Sequence, residues 1–596
     1  MVAALLLASC GPAEEEEVIT PGEEEEVVTE EEVVEEEGEM VKLVLEKLDG
    51  TLVEKLVEKP KYGGRLTLAL GEDIRGFDSA YEGHWMTHTL NLTNEGMTRG
   101  DWARGPAGTG EASWLIHGTN FIGIGLEVGT TAESWEMPDE ETIIYHIRQG
   151  VHFHDKPPVN GREMNADDVV FSMKRVYEIS GSYLGVTYPE GDRPWSITAP
   201  DKWTVVLKCP PHNIGPLLHS TSGNIPILPP EMVEKWGDVQ DWRASCGTGP
   251  FELVDYVPMS SVTFERFPNY WGTDALHPEN HLPYLDDMKW LVIPDNSTRI
   301  SALRTGKIDR LGVGWEDAGD LMKTTPDLKH IRHLSTISWN LHMRIDKPEL
   351  PFADIRVRRA LAMAINNKEI KDYLYEGNAE VLTHPVTPVT EFMDMYVPLE
   401  ELPESTREMY EYHPDKAKQL LVEAGYPDGF KTKVLCPAGS ADTLSLVKDY
   451  WEEIGVELEL QVREVPVWYS MGYRRQYDEI IFHYQPNDNV FKFGAFRPGN
   501  PLNLSFIDDQ RCIETYQKVT ENIGWDDVKV RQILREIYPY VLDQCWSIQL
   551  PTSYGYVMWW PWVKAYHGES SVGYFHDYNY PIWTWIDQEL RKEMGY

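Results

Sequence analysis

Residues 288–313, MKWLVIPDNSTRISALRTGKIDRLGV, predict a strand, a helix and a second strand in succession. The apolar run at the start is the first strand, and Ile308–Val313 is the second. Between them, Asn296 or Ser297 is placed to cap a short helix, and Gly306 follows where a left-handed residue ends it. A strand–helix–strand unit is typical of a mostly parallel sheet, so the chain is predicted to have an α/β fold.

A second unit of this kind lies further along the chain. Pro414 is placed at the first turn of a helix that Gly425 ends, and a strand near Lys433–Cys436 follows. The next helix stops at Gly455, before an alternating strand. One face of that helix carries Leu444, Val447, Trp451 and Ile454. Two α/β regions so far apart in sequence predict two lobes.

The composition restricts the function of the chain. With 596 residues and 42% hydrophobic content, the chain can bury a large core and form two or three lobes. Its formal net charge is −43, which argues against nucleic acid as a partner, since phosphates require a cationic surface. The same charge argues against electrostatic docking on anionic lipid. No apolar run reaches the roughly 18 residues of a membrane-spanning helix.

The N-terminus resembles a sorting signal. Leu7-Ala8-Ser9-Cys10-Gly11 follows small and apolar residues and is similar to the lipobox of bacterial lipoproteins. Residues 1–9 are interpreted as the remnant of a signal peptide, and Cys10 as the lipidated first residue of the mature protein. Residues 10–60 are predicted to be a disordered, Glu-rich tether. Within it, Asp49-Gly50 favours a hairpin, whereas the Glu and Lys content favours a helix.

Motifs of catalysis and metal binding are scarce. The sequence contains no HExxH, GxSxG or P-loop motif. On a strand, His152 and His154 would face the same way, and Asp155 could join them as a metal ligand. A strand that runs into a turn explains the same residues, and we adopt this interpretation because no further His or Cys pair lies nearby in sequence. We therefore predict no catalytic residue, no metal and no cofactor.

Eight segments carry, in order, a resemblance to a known family. They are YGGRLTLA at 62–69, AESW at 132–135, YHIRQGVHFHD at 145–155, NADDVVFS at 165–172, GTGPF at 247–251, PNYW at 268–271, ALRTGKID at 302–309 and DIRVRRAL at 354–361. Asn165 and Asp168 also predict the capped start of a helix, and Phe77-Asp78 is similar to the family's Leu-Asp-Pro without its proline. The series resembles the oligopeptide/dipeptide-binding family of ABC-importer solute-binding proteins (solute-binding family 5).

The resemblance implies a bilobed fold of the periplasmic-binding-protein type (class II, the large form with three subdomains), with a hinged ligand cleft. The core of lobe I is expected from three separate segments, 61–85, 200–325 and 546–596. Residues 86–199 are expected to form an extra subdomain of lobe I, and residues 326–545 to form lobe II.

The same resemblance implies six ligand-binding residues, namely Asp73, Ile74, Trp468, Tyr484, Asn487 and Asp488. The family's Gly-Trp-x-x-Asp stretch, whose Asp pairs with a peptide α-ammonium, aligns with residues 483–488. There Asn487 occupies the Asp position and Asp488 follows one residue late. This departure favours a neutral polyhydroxylated or capped ligand at least as much as a free peptide N-terminus.

The chain is therefore expected to be an extracytoplasmic solute-binding lipoprotein and not an enzyme. It would capture a peptide or similar solute and deliver it to an ABC permease for import. We expect a monomer in the periplasm or on the outer face of the cell membrane, which it touches only through the lipid anchor. The aromatic content, 11% of the chain, keeps open an oligosaccharide receptor of the same family. A secreted surface hydrolase is the alternative from another class.

Overall fold

The fold is described from a computed structural model of the chain. The structure describes residues 32–34, 39–82, 89–116, 123–179, 182, 184–185, 188, 190–486 and 492–596. The signal-peptide segment 1–9, the lipidation candidate Cys10 and the ligand-binding candidates Asn487 and Asp488 lie outside these residues. Within them, no helix combines the length and the apolar character that crossing a membrane requires.

The largest sheet has eight strands and belongs to lobe I. Seven of them lie side by side in the order Phe251–Val257, Ser261–Arg266, Asp287–Val292, Arg65–Leu70, Arg310–Gly314, Thr552–Trp559 and Lys329–Leu334, and the eighth, Ala379–Glu380, pairs with Thr552–Trp559. Arg65–Leu70 runs parallel to Asp287–Val292 on one side and to Arg310–Gly314 on the other. The prediction of a strand–helix–strand unit in residues 288–313 is confirmed.

The helix of this unit is Asn296–Arg304, and its cap differs from the prediction by one residue. Asp295 is the N-cap, because its carboxylate accepts a hydrogen bond from the Thr298 backbone N–H at 2.7 Å. Gly306 follows the helix with a φ of 63°, in the left-handed region that glycine adopts without strain. The predicted C-terminal stop is therefore correct.

A four-stranded sheet forms the extra subdomain of lobe I. Its strands lie in the order Ala132–Asp139, Thr142–Ile147, Thr204–Lys208 and Ser196–Asp201. The helix Ala166–Glu178 starts with the predicted capping box of Asn165 and Asp168. The hydrophobic cluster of this subdomain continues to Cys246. The predicted boundary at position 199 is therefore too early, since it cuts a strand of the sheet.

A five-stranded sheet forms lobe II. Its strands lie in the order Val456–Arg463, Phe430–Pro437, Ile480–Pro486, Ile337–Met343 and Ser547–Gln549. As predicted, the helix Pro414–Glu423 precedes the strand Phe430–Pro437, and the helix Ala441–Glu453 connects that strand to a parallel neighbour. The predicted apolar face of the second helix is buried at Leu444, Val447, Trp451 and Ile454.

The chain crosses between the two sheets at residues 335–336 and 550–551. The first crossing joins the last strand of the lobe I sheet to Ile337–Met343, and the second joins Ser547–Gln549 to Thr552–Trp559. The predicted lobe boundaries at positions 325 and 545 are therefore several residues too early. The sheet to which a strand belongs depends on its partners, and these are distant in sequence.

Two long helices before the second crossing, Gln510–Thr520 and Asp527–Gln544, pack with lobe I. Their buried side chains, among them Cys512 and Leu534, belong to the same hydrophobic cluster as the eight-stranded sheet. The assignment of all residues 326–545 to lobe II is therefore wrong for these helices.

Shorter elements connect the sheets. In the described residues, the remaining α-helices are Ser79–Glu82, Leu90–Thr93, Ile214–Gly223, Pro230–Trp236, Trp315–Thr324, Ile355–Met363, Asn367–Glu369, Glu404–Arg407, Val465–Tyr473 and Gln588–Glu593. Two small pairs of strands are Thr98–Gly100 with Glu127–Gly129 and Val563–Lys564 with Trp585–Ile586.

The end of the predicted tether is a β-hairpin. Glu39–Glu46 pairs antiparallel with Leu52–Glu58, and at the turn the Gly50 N–H donates to the Lys47 carbonyl at 2.9 Å. Glu32–Val34 adds a third strand beside the hairpin. The hairpin alternative is thereby confirmed over the helix.

The hairpin is attached to lobe I. Leu43 and Leu45 pack against the lobe I core. The Lys55 ammonium donates to the carbonyls of Pro106 and Gly108. Within residues 10–60, predicted as a tether, the hairpin is therefore ordered, and its inward face is half-buried against lobe I.

Candidate ligand-binding site

A cavity of about 380 Å³ lies beside the first crossing of the chain between the lobes. Its wall is formed by residues 72–73, 75, 115–116, 310, 333–337, 570 and 577–578. The first of these segments follows the carboxyl end of the strand Arg65–Leu70. Open α/β sheets bind ligands at the carboxyl ends of their strands, so the cavity lies at the expected edge of the lobe I sheet.

Of the two candidates predicted after the opening strand, Asp73 lines the cavity and Ile74 does not. The Asp73 carboxylate accepts hydrogen bonds from the Tyr256 hydroxyl at 2.9 Å and from the Met259 backbone N–H at 2.7 Å. These bonds fix the segment against the strand Phe251–Val257 and the turn that follows it. The Ile74 side chain is 8% exposed and packs in the lobe I core.

The cavity carries groups of both charges. Glu72 and Arg75 form an ion pair at 2.7 Å, and Arg310 and Asp577 also line the wall. His333 is neutral at physiological pH, because burial and the Arg310 guanidinium lower its pKa to about 4. A solute that enters the cavity therefore meets fixed charges on the lobe I side.

Lobe II presents aromatic side chains at the same end of its sheet. Ile337, which lines the cavity, pairs with Pro486, and one step along the same face Trp339 pairs with Tyr484. The helix Val465–Tyr473 contributes further rings. We define the aromatic layer as the contacting set Trp339, Trp468, Tyr469, Tyr473, His483 and Tyr484.

Exposure separates two roles within the aromatic layer. Trp468, the predicted pocket tryptophan, is 3% exposed, donates from Nε1 to the Phe482 carbonyl at 3.0 Å and stacks on His483 at 4.4 Å. Trp339 is 37% exposed and lies nearly parallel to Trp468, with ring centroids 5.9 Å apart. Trp468 therefore supports the layer from beneath, and Trp339 has a free ring surface.

Tyr484, the other predicted residue of this layer, belongs to a cluster of hydroxyl groups. Its hydroxyl oxygen lies 2.7 Å from that of Tyr469 and 2.6 Å from that of Tyr473. Burial and the two neighbouring tyrosines raise the pKa of Tyr484 well above its usual range. The hydroxyl therefore stays neutral, and the layer combines apolar surface with groups that can donate or accept.

The sequence alone does not single out Trp339, Tyr469 or Arg310. The position of the first crossing places Trp339 and Arg310 near the same cavity, and that position follows from long-range strand pairing. For Tyr469 the sequence contains one local indication of a role in the site, because this residue directly follows the predicted Trp468.

The alternative metal site does not assemble. His152 is exposed, whereas His154 is buried, so the two rings do not share a face. The His154 ring uses both nitrogens on the backbone, with Nε2 2.9 Å from the Gly249 carbonyl and Nδ1 accepting from the Gly247 N–H at 3.3 Å. Among the residues that the structure describes, no three His, Cys, Asp or Glu side chains are grouped as metal ligands. The strand-and-turn interpretation therefore accounts for these histidines.

The chain is similar to curated binding proteins. It is 30% identical over 375 residues to heme-binding protein A of Haemophilus influenzae, a match that covers 58% of this chain and 63% of that protein. It is 26% identical over 368 residues to the dipeptide-binding protein of Escherichia coli, covering 57% of this chain and 65% of that protein. The matched part thus spans less than two thirds of each relative. Both are binding proteins, in agreement with the prediction that the chain is not an enzyme.

The fold is also that of a solved binding protein. The ABC transporter-associated periplasmic binding protein DppA from Helicobacter pylori, in complex with the peptide STSA, superimposes with a TM-score of 0.66 at 22% sequence identity. The superposition covers 89% of this chain and 99% of that chain. The predicted α/β, bilobed fold of the periplasmic-binding-protein type is confirmed.

A match between the sequence and a family profile tests the predicted family relationship. Residues 128–493 match the profile described as bacterial extracellular solute-binding proteins, family 5 Middle. This range covers more than half of the chain and includes the extra subdomain sheet, the first crossing and the aromatic layer. The chain therefore belongs to the bacterial extracellular solute-binding proteins of family 5.

Proposed function

We propose that the chain is an extracytoplasmic receptor that captures a peptide or similar small solute between its lobes and delivers it to an ABC permease. The proposal rests on one observation above all: the charged cavity of lobe I and the exposed Trp339 of lobe II lie at the same crossing. Apolar surface with a few placed polar groups is how proteins bind small ligands. Membership of family 5, whose proteins serve ABC import, supports the same assignment.

In this proposal the lobes close on the solute. Lobe II turns about residues 335–336 and 550–551, two short connections that lead directly from a strand of one sheet to a strand of the other. Closure brings Trp339 toward a solute that the lobe I cavity already holds. The solute stabilises the closed form only by the amount by which it binds that form better than the open one.

Binding is expected to reduce the radius of gyration. The full chain is measured by small-angle X-ray scattering before and after addition of the solute that mass spectrometry finds in the purified protein. A micromolar ligand binds with about −8 kcal/mol, and it populates the closed form to the extent that this free energy favours that form over the open one. The scattering curve should change with the same midpoint as the tryptophan fluorescence.

The control for closure is the Trp339→Ala chain at the same solute concentration, which is expected to keep the open scattering curve. A wild-type curve that stays unchanged at saturating solute would contradict a hinged receptor. It would leave a rigid binding protein as the alternative.

We further propose that Cys10 carries a lipid that anchors the chain to the membrane. The acidic segment from residue 11 would then reach from the anchor to the hairpin on lobe I. A single acyl chain binds membranes only marginally, but a doubly acylated glyceryl-cysteine anchors stably.

Replacing Cys10 with alanine is expected to move the protein from the membrane fraction to the soluble fraction. Fractionation of cells with an antibody against the folded body measures the change, and Cys209→Ala, which alters a buried thiol, serves as the control. A Cys10→Ala protein that remains in the membrane pellet would exclude lipidation at this residue as the anchor.

A further inference from the structure

Arg310 opens the strand Arg310–Gly314, and its side chain lines the cavity. Its Nε–H donates to the Tyr566 hydroxyl at 2.8 Å, and the guanidinium lies 5.6 Å from the centre of the Tyr580 ring. In the described part of the chain, the two terminal nitrogens make no hydrogen bond and no ion pair. Among the described residues, the side chain thus makes one hydrogen bond, from Nε, and one ring contact, with Tyr580.

Two buried arginines of this chain show how a structural guanidinium is satisfied. Arg358 donates to the backbone carbonyls of four residues, Phe352, Ala353, Gln544 and Cys545. Arg175 forms a two-pronged ion pair with Asp78. A guanidinium has five N–H donors, and donors left unpaired away from water are costly. The remaining donors of Arg310 are thus available to a group that enters the cavity.

Three nearby carboxylates are engaged elsewhere. Asp309, the preceding residue, accepts from the Thr67 backbone N–H at 2.6 Å and from the Trp562 indole N–H at 2.9 Å. Within the cavity, Asp73 is held by the strands of lobe I and Glu72 by its ion pair with a neighbouring arginine. None of these three forms an ion pair with the guanidinium in the described residues.

A second polar group of the cavity is also unsatisfied. The Thr336 hydroxyl lies in the first crossing between the lobes, is buried and finds no hydrogen-bond partner among the described residues. A hydroxyl can donate to an anionic oxygen. Because Thr336 belongs to the crossing, a bond to it would link the state of the cavity to the hinge.

We propose that the captured solute carries a carboxylate, which the Arg310 guanidinium binds through its two terminal nitrogens, with the Thr336 hydroxyl as a further donor. This inference rests on the receptor function proposed above. The planar guanidinium matches the two oxygens of a carboxylate with parallel hydrogen bonds. The net charge of −43 does not prevent this contact, since salt screens exposed charges beyond about 8 Å.

The test compares solutes that differ only in this charge. Trialanine and trialanine amide form one pair, and gluconate and gluconamide form a second pair without a peptide bond. Isothermal titration calorimetry measures their affinities for the full chain and for Arg310→Gln. In at least one pair, the wild type is expected to bind the acid about 30-fold or more tightly than the amide. Arg310→Gln is expected to reduce this preference to less than about threefold.

The outcomes separate the two proposals. Equal affinity of the wild type for acid and amide would overturn the carboxylate site while leaving the receptor function in place. A preference that Arg310→Gln does not change would overturn the role of Arg310. Binding of neither member of either pair would overturn both the carboxylate site and receptor function for these solute classes.

The Arg310→Lys variant distinguishes loss of the carboxylate contact from loss of folding. Lysine keeps the charge but lacks the planar fork, so the acid-over-amide preference is expected to fall between those of the wild type and Arg310→Gln. Thermal melting of both variants checks the fold. If Arg310→Gln does not fold, a wild-type preference retained in full by Arg310→Lys overturns two-pronged binding.

Discussion

Replacing Asp78 with asparagine is expected to lower the free energy of unfolding by about 3–5 kcal/mol. The Asp78 carboxylate is fully buried and forms a two-pronged ion pair with Arg175, whose Nη1 lies 2.8 Å from Oδ1. The same carboxylate accepts from the Ala80 backbone N–H at 3.1 Å. Asparagine would leave the buried guanidinium without its counter-charge, and this loss is the main source of the expected cost.

The effect on the free energy of unfolding is large because the Asp78–Arg175 ion pair joins two parts of lobe I. Asp78 belongs to the segment that follows the opening strand of lobe I, whereas Arg175 lies on the helix Ala166–Glu178 of the extra subdomain. The Val239 backbone N–H, from a third segment, also donates to Asp78 at 3.4 Å. Removing the charge therefore weakens the attachment of the subdomain as well as one ion pair.

Urea denaturation followed by circular dichroism measures the change. The matched control is Glu457→Gln, which makes the same chemical replacement in the exposed pair of Lys431 and Glu457 at 2.6 Å. Exposed pairs contribute at most about 1 kcal/mol, so this variant is expected to unfold almost like the wild type. Equal unfolding of Asp78→Asn and Glu457→Gln would show that the buried pair does not hold the subdomain.

Local signals in the sequence predict much of the fold. The capping box of Asn165 and Asp168 and the helix stops at Gly306, Gly425 and Gly455 follow from backbone hydrogen bonding and from the conformational freedom of glycine. Such features depend on neighbours within one turn. The sequence did not identify Asp295 as the cap of the helix Asn296–Arg304, because adjacent polar residues can accept hydrogen bonds from the same N–H groups.

Lobe boundaries and the candidate site depend on long-range pairing. The C-terminal strand Thr552–Trp559 lies between Arg310–Gly314 and Lys329–Leu334, and no local sequence pattern predicts that pairing. The exposure of each ring in the aromatic layer also depends on long-range strand pairing. Trp468 and Tyr484 were found by resemblance, but the strand that carries Trp339 decides which ring is covered and which is free.

The two tryptophans of the aromatic layer are expected to respond differently to truncation. Trp468→Ala removes a ring that is 3% exposed and should lower the free energy of unfolding by about 3–5 kcal/mol. Trp339→Ala removes a partly exposed ring and should change the free energy of unfolding by less than about 1 kcal/mol. Because the free face of Trp339 is proposed to cover the solute, its loss should weaken binding about 30-fold.

Trp236→Ala is the matched control for Trp339→Ala. Trp236 is 38% exposed, against 37% for Trp339, but it ends the helix Pro230–Trp236 of the extra subdomain and is not a member of the aromatic layer. Calorimetric titration with the co-purified solute should give the wild-type Kd for Trp236→Ala and a much larger Kd for Trp339→Ala. If the two variants bind alike, exposure of Trp339 reflects ordinary surface and not a solute contact. If Trp468→Ala retains wild-type stability, the layer does not depend on its buried ring.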